Sequence, residues 1–227
     1  MALARAQQHD YTSFLAILLS DEITRREQQG LELRLKLAGF EERCELADFD
    51  WSAQVRFDRP LIQDVFTLEF LRERQNCLFV GPVGVGKTFL AQALGHCAIR
   101  AGYSALFVRA DELFRSLLQA LANHSFELEF RRFLAPELLI VDDFGLHRLT
   151  AQQSGDLYEL IIGRHRRASF IFTSNRAIDE WLGLFDDSIL GNSALDRLAN
   201  ASHQVVIEGT SYRERLAPKL KNREVVS

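Results

Sequence analysis

Between Asn76 and Thr88 the chain reads N-C-L-F-V-G-P-V-G-V-G-K-T, and no other stretch restricts its architecture as strongly. The apolar run Cys77, Leu78, Phe79 and Val80 predicts a buried strand. It breaks into a G-x-x-x-x-G-K-[ST] pattern, a phosphate-binding loop when a strand precedes it and a helix follows. Gly81, Pro82, Val83, Gly84, Val85 and Gly86 make the turn, and its glycines admit backbone conformations that bring successive N–H groups around an anion. Lys87 supplies a point charge for β and γ phosphates, and the hydroxyl of Thr88 is suited to completing the coordination of Mg²⁺. Phe89 opens the following helix, predicted to run to Ala101 with Leu90, Ala93, Leu94 and Cys97 toward a sheet.

A second stretch, Glu137 to Gly145 (E-L-L-I-V-D-D-F-G), repeats the logic. Four consecutive apolar residues, Leu138 to Val141, require a sheet covered on both faces, with Asp142 and Asp143 at its C-terminal edge. From there Asp142 can hold the metal, and Asp143 can position or deprotonate an attacking water. Ser169 to Thr173 predicts a further buried strand that ends in Ser174, Asn175 and Arg176. If that strand lies between the other two, Asn175 faces the γ phosphate and can hydrogen-bond it or the water. Ala105 to Val108 and Gln204 to Ile207 read as the remaining strands. Helices are expected over 112–123, 126–134 and about 150–167. Arg197, in S-A-L-D-R-L, has no evident partner near its own loop; it pairs with Asp196 or Glu208 at the surface, or reaches the nucleotide of a neighbouring subunit.

The rest of the chain supplies no rival chemistry. With 227 residues it can bury a substantial core. Its three cysteines, Cys44, Cys77 and Cys97, are scattered, which points to reduced thiols and a cytoplasmic location. No apolar run is long enough to span a bilayer, so no membrane role is expected. A net charge of −4 leaves nucleic-acid binding to local patches. Two exist: Arg164, Arg166 and Arg167 around His165, and the tail from Ser211 to Ser227, with five basic residues against two acidic ones. Toward the N-terminus, apolar residues at helical spacing from Tyr11 to Gly39 predict two helices separated by Gly30. A connector with aromatic anchors (Asp48, Phe49, Asp50, Trp51) follows, then a helix from about Leu61 to Arg74.

In the order and form of its motifs the chain resembles the IstB-type transposition helper ATPases, relatives of the DnaC helicase loaders within the AAA+ initiator group. The resemblance runs from LLSDEITRREQQGLELRLKLAGF through DFDW, GPVGVGKTFLAQAL, LLIVDDFG, FIFTSN and ALDRLAN to GTSYR. It implies a three-layer α/β P-loop NTPase of the AAA+ type with a five-stranded parallel sheet. No C-terminal helical lid is expected, since about twenty residues follow the last strand. It divides the chain into an N-terminal helical arm, 1–60, for partner docking, and an AAA+ ATPase domain, 61–227.

Carried over by position, Gly81 to Thr88 resemble Walker A, Asp142 and Asp143 Walker B, Asn175 sensor 1, Arg197 an arginine finger acting in trans, and Arg213 a sensor 2 contact. Thr88 and Asp142 are then the metal ligands. A helical insertion facing DNA is implied at 112–134, with Arg115, Arg131 and Arg132 as phosphate contacts. Phe89 stands where IstB-like chains usually have His. The implied activity is Mg²⁺-dependent ATP hydrolysis, with self-assembly on double-stranded DNA and recruitment or stimulation of a transposase. A DnaC-like helicase loader is the nearest alternative. A phosphotransferase on the same loop would need an acceptor pocket and a basic lid, and no segment reads as either. A nucleotide-gated scaffold would tolerate loss of Asp143.

Overall fold

The computed structural model describes residues 11–51, 55–200 and 202–211. Five parallel strands form its centre: β2 (Asn76–Val80), β3 (Ala105–Arg109), β4 (Leu138–Phe144), β5 (Ser169–Ser174) and β6 (Ser202–Val206), in the spatial order β3-β4-β5-β2-β6. All the strand pairs in this sheet are parallel, so every connection must cross a face, and helices cover both.

The pleat decides which residues go where. Along β4, Leu139 and Val141 join one core with Leu78, Val80, Phe170 and Phe172, under α5 (Ala110–Ala122), α6 (Phe126–Leu134), α7 (Ala151–Arg164) and α8 (Ser188–Ala199). Leu138 and Ile140 point the other way. They join Cys77, Phe79, Phe107, Ile171 and Val205 against α4 (Lys87–Arg100), α2 (Arg59–Val65) and α3 (Glu69–Arg72). This is the covered three-layer α/β fold with a five-stranded parallel sheet that the apolar runs require.

Several local expectations are corrected. Helix α1 (Tyr11–Leu37) runs without a break through Gly30, where two helices were expected. A glycine inside a helix costs only about 1 kcal/mol relative to alanine, and an added Cβ would meet nothing closer than Arg34 Nη1 at 3.4 Å. The predicted helix over 61–74 is divided into α2 and α3, because Leu68 takes a left-handed conformation (φ 66°) and the Thr67 hydroxyl donates to Asp64 O at 2.6 Å. Beyond β6, a short β7 (Glu208–Gly209) pairs antiparallel with β1 (Val55–Arg56), a two-stranded ribbon that periodicity did not show. The strand expected over Gln204 to Ile207 is Ser202–Val206, and α7 ends at Arg164, three residues before Arg167.

The arm is rooted by its C-terminal turns. Leu31 and Leu35 are half-buried against the second core, and Ala38 O accepts from Phe107 N on the edge strand. Phe40 stacks on His96 of α4 at 4.2 Å, and the Glu41 and Glu42 amides both donate to Gln92 Oε1. The other end of α1 exposes Tyr11, Leu15, Leu18, Leu19 and Ile23. Among the described residues no helix is long and apolar enough to cross a membrane.

Arg164, expected in a surface patch, is instead 1% exposed. Its Nη1 donates to Phe133 O, Leu134 O and Pro136 O, and its Nη2 to Ser169 O, so one guanidinium closes the end of α6 and the start of β5. The Phe170 ring packs on it, and burial pushes its pKa down to about 9. Arg164→Ala strips these carbonyls of their donor. We expect a loss of about 3 kcal/mol or more in chemical denaturation; a loss under about 1 kcal/mol would mean that water replaces the guanidinium.

Candidate functional site

The loop after β2 lies at the C-terminal edge of the sheet, where β5 lies between β2 and β4. Gly86 (φ 94°) caps the start of α4 in a left-handed conformation, with the Phe49 ring so close that a Cβ would stand 2.8 Å from it. Phe49 in turn packs on Phe89, Trp51 and Phe57, so the connector's aromatic residues form the outer wall of the loop. On the other side Gly81 N donates to Ser174 O, and Ile207 N donates to Val80 O at 2.7 Å. Pro82, Val83, Gly84 and Val85 arch between these walls, with Gly84 against Ser211.

Lys87 is 5% exposed, and its Nζ donates to Gly81 O (2.8 Å), Pro82 O (2.7 Å) and Asn175 Oδ1 (2.7 Å). The lysine of the loop and the amide beyond β5 therefore meet, as the position of β5 allows. Thr88 Oγ1 lies 2.9 Å from Asp142 Oδ1 and 3.2 Å from Oδ2. The sheet thus joins adjacent loop residues to two other stretches of sequence, Lys87 to Asn175 and Thr88 to Asp142.

Asp142 is 3% exposed. Burial raises its pKa; the Thr173 hydroxyl opposes this, the Asp143 charge adds to it, Thr88 opposes it again and Glu41 adds a little. Next to it β4 breaks register with β5 between Val141 and Phe144, and Asp143 takes φ 55°. The irregularity turns the Asp143 carboxylate out of the strand, half-exposed, with Arg109 Nη2 at 3.9 Å from Oδ2. Two residues in this arrangement escaped the sequence reading. Thr173 Oγ1 donates to Asp142 Oδ1 at 2.5 Å and accepts from Asp143 N at 2.9 Å, fixing both acids. Arg109 ends β3 opposite Asp142 and also pairs with Asp111. The only signal for either was its place at the end of an apolar run.

The remaining candidates lie elsewhere. Arg197, on the last turn of α8, donates to Ser193 O at 2.7 Å and Ser193 Oγ at 2.5 Å, and among the described residues neither Asp196 nor Glu208 pairs with it. Arg115, Arg131 and Arg132 are exposed on α5 and α6; Arg115 pairs with Asp111 and Arg132 with Glu129, on their own helices. Arg213 lies outside the described residues, as does the basic tail beyond Ser211.

The donor set suits a nucleoside triphosphate with a hard cation. A buried lysine stands in a glycine arch, and beside it a hydroxyl and a carboxylate offer oxygen ligands. Among the described residues no three His, Cys, Asp or Glu side chains converge to hold a metal alone, so a cation here would need further ligands from outside these side chains. The model of the IstB-like ATP binding protein family matches residues 1–219. The chain belongs to that family.

This IstB-like chain is 39% identical over 219 residues to a Mycobacterium tuberculosis protein named for ATP binding in an insertion sequence, covering 95% of this chain and 87% of that one. It is 34% identical over 210 residues to the corresponding protein of insertion sequence IS21 of Pseudomonas aeruginosa, covering 92% and 79%. Among solved structures, DnaI superposes with a TM-score of 0.64 at 19% identity, covering 73% of this chain and 91% of that one. The DnaC helicase loader does so with 0.55 at 23%, covering 64% and 85%. At these identities the two structures bear on the fold alone, and they share this three-layer α/β arrangement.

The raised pKa of Asp142 has a definite sign. A carboxyl whose folded pKa exceeds its unfolded value favours folding when protonated; that contribution is complete below the unfolded pKa and is lost as pH rises through the folded one. Asp142→Asn keeps the shape and the acceptor without the charge. At neutral pH and without nucleotide it is expected to melt at or above the native temperature, the margin closing as the pH falls through the carboxylate range. Nucleotide with Mg²⁺ should raise the variant's melting temperature less than that of the native chain. A bare variant that melts clearly lower at neutral pH would contradict the assignment of sign.

Proposed function

We propose that the chain is an ATPase of DNA transposition, assembling with copies of itself on double-stranded DNA through ATP held between subunits, and recruiting or stimulating a transposase. Family membership supports the setting. The mechanism rests on one observation: Arg197 lies at the sheet edge opposite the loop, beside Asn76 and Phe170 near the starts of β2 and β5. The length of β2, roughly 15 Å at strand rise, separates it from Lys87 of its own chain. A second subunit brings the two together.

In this reading Lys87 and the arch from Gly81 to Gly86 hold the β and γ phosphates. Thr88 and Asp142 hold Mg²⁺, which when bound neutralises developing phosphate charge. Thr173 keeps Asp142 and Asp143 oriented, and Asp143, turned outward by its left-handed conformation, positions the water and accepts its proton. Asn175, now bonded to Lys87, exchanges that bond for one to the γ phosphate and so senses cleavage. Arg213 adds a second cation from the C-terminal side. Arg197 of the next subunit stabilises the charge of the transition state. The arm, 1–60, docks the partner, and Arg115, Arg131 and Arg132 face DNA phosphates from the helical insertion.

Arg197→Ala is expected to bind nucleotide as the native chain does when dilute, to hydrolyse it about a thousandfold more slowly, and to form smaller assemblies with ATP analogue and duplex DNA in sedimentation. Asp143→Asn should assemble but not turn over. Native mass and native turnover in Arg197→Ala would remove the trans role. A helicase loader would instead prefer single strands in the same binding experiment.

A further inference from the structure

The RHRR stretch that sequence alone left as a surface patch is split three ways by the fold. Arg164 is buried, Arg167 is exposed, and Arg166 lines a groove of about 510 Å³ at the edge of the sheet opposite the phosphate loop. The groove is floored by Asn76, whose Nδ2 donates to Leu198 O and whose Oδ1 accepts from Phe170 N, so β2, β5 and α8 are tied beneath it. Arg74, Arg164, His165, Arg166 and Arg197 line it against two carboxylates, Glu73 and Asp196. Asp196 already accepts from Asn200. Arg164 is committed to the carbonyls beneath the groove, so the cations open to a ligand there are Arg74, Arg166 and Arg197.

Arg74 and Arg166 stand on separate turns, one after α3 and one after α7, and both have positive φ, 58° and 59°. That conformation costs a non-glycine residue roughly 1 kcal/mol or more. Each turn is fixed by backbone bonds, Arg74 N to Leu71 O and Arg167 N to Arg164 O, which hold the side chains on the groove rather than along a helix. Both guanidiniums are exposed, and no ion pair holds either of them among the described residues.

We infer that this groove is the receiving surface for the polyphosphate of the ATP bound by an adjacent copy of the chain, with Arg74 and Arg166 as phosphate-contacting cations beside Arg197. The inference rests on the proposed trans role of Arg197, since it adds two residues to the same face. The cation excess fits a polyanion, and planar guanidiniums on a rigid rim suit bidentate contact with phosphate oxygens. Arg197, held by Ser193 at the groove wall, is the member that reaches the reacting phosphate. Arg74 and Arg166 grip the nucleotide on either side of it, so they set the stability of the interface more than the chemical step.

The test pairs subunits, each defective in a different half of the interface. One is the double variant Arg74→Ala, Arg166→Ala, with an intact loop. The other is Lys87→Ala, with an intact groove and no nucleotide grip. Dilute double variant is expected to bind a fluorescent ATP analogue as the native chain does, while its assembly with analogue and duplex DNA needs about tenfold more protein, a small part of what a full arginine finger contributes. Mixing the two defective chains should restore hydrolysis above the sum of their separate rates, because one interface in the mixture joins an intact loop to an intact groove. Arg167→Ala, which removes the same charge outside the groove, should be silent, and Arg166→Lys should retain part of the effect.

Native assembly by the double variant, with Arg197→Ala defective, overturns the groove and leaves the trans finger standing. Native behaviour of both overturns the finger as well. Weaker analogue binding by the dilute double variant, absence of complementation, or a loss confined to DNA binding each overturns the groove as a trans phosphate site.

Discussion

The carboxylate of Asp142 is taken out of water at the end of β4 and shared between two hydroxyls, Thr88 at the start of α4 and Thr173 at the end of β5. Burial works against its charge, and two O–H donors offset part of that penalty. The interaction joins the helix after the loop to two neighbouring strands, so the separation of Lys87 and Asn175 is set by the same fastening. It also explains why Asp143 can leave the strand: its amide is held by Thr173, which leaves the side chain free to turn outward through the register break. A structural economy follows, because one threonine orients two acids, one buried and one turned outward.

Much of this was legible from spacing. The loop, the apolar run behind Asp142 and the strand before Asn175 are patterns in which residue type and position constrain each other, and the fold follows once the apolar runs demand cover on both faces. What stayed hidden depends on tertiary partners. A threonine at the end of S-F-I-F-T reads as an ordinary strand residue until Asp142 is placed beside it. Arg164 within RHRR reads as solvated charge until the carbonyls of Phe133, Leu134 and Pro136 are found around it. Gly30 reads as a break because local propensity disfavours it, yet the helix continues through it. The division of 61–74 at Leu68 and the β1–β7 ribbon belong to the same class, decided by contacts far apart in sequence.

In the proposed reading the two edges of the sheet divide one chemistry between them. At the C-terminal edge are the lysine, the acids and the amide; at the other are Arg197 and the groove with Arg74 and Arg166. A parallel sheet enforces this separation, since all strands begin on one side and end on the other. The same polarity that gathers the loops at one end of the strands keeps Arg197, near the strand starts, apart from the loop of its own chain.

The arm carries a geometric consequence of its own. A helix of 27 residues extends about 40 Å, yet only its final turns, from Leu31 onward, rest on the body. Some 30 Å of the described rod therefore projects past the last foothold, its far described turns exposing tyrosine and leucine. Because its base is clamped through Gln92 to the helix that begins with Lys87, a tilt imposed on those far turns is levered toward the root of the phosphate loop, and a small displacement at the base sweeps them through a far larger arc.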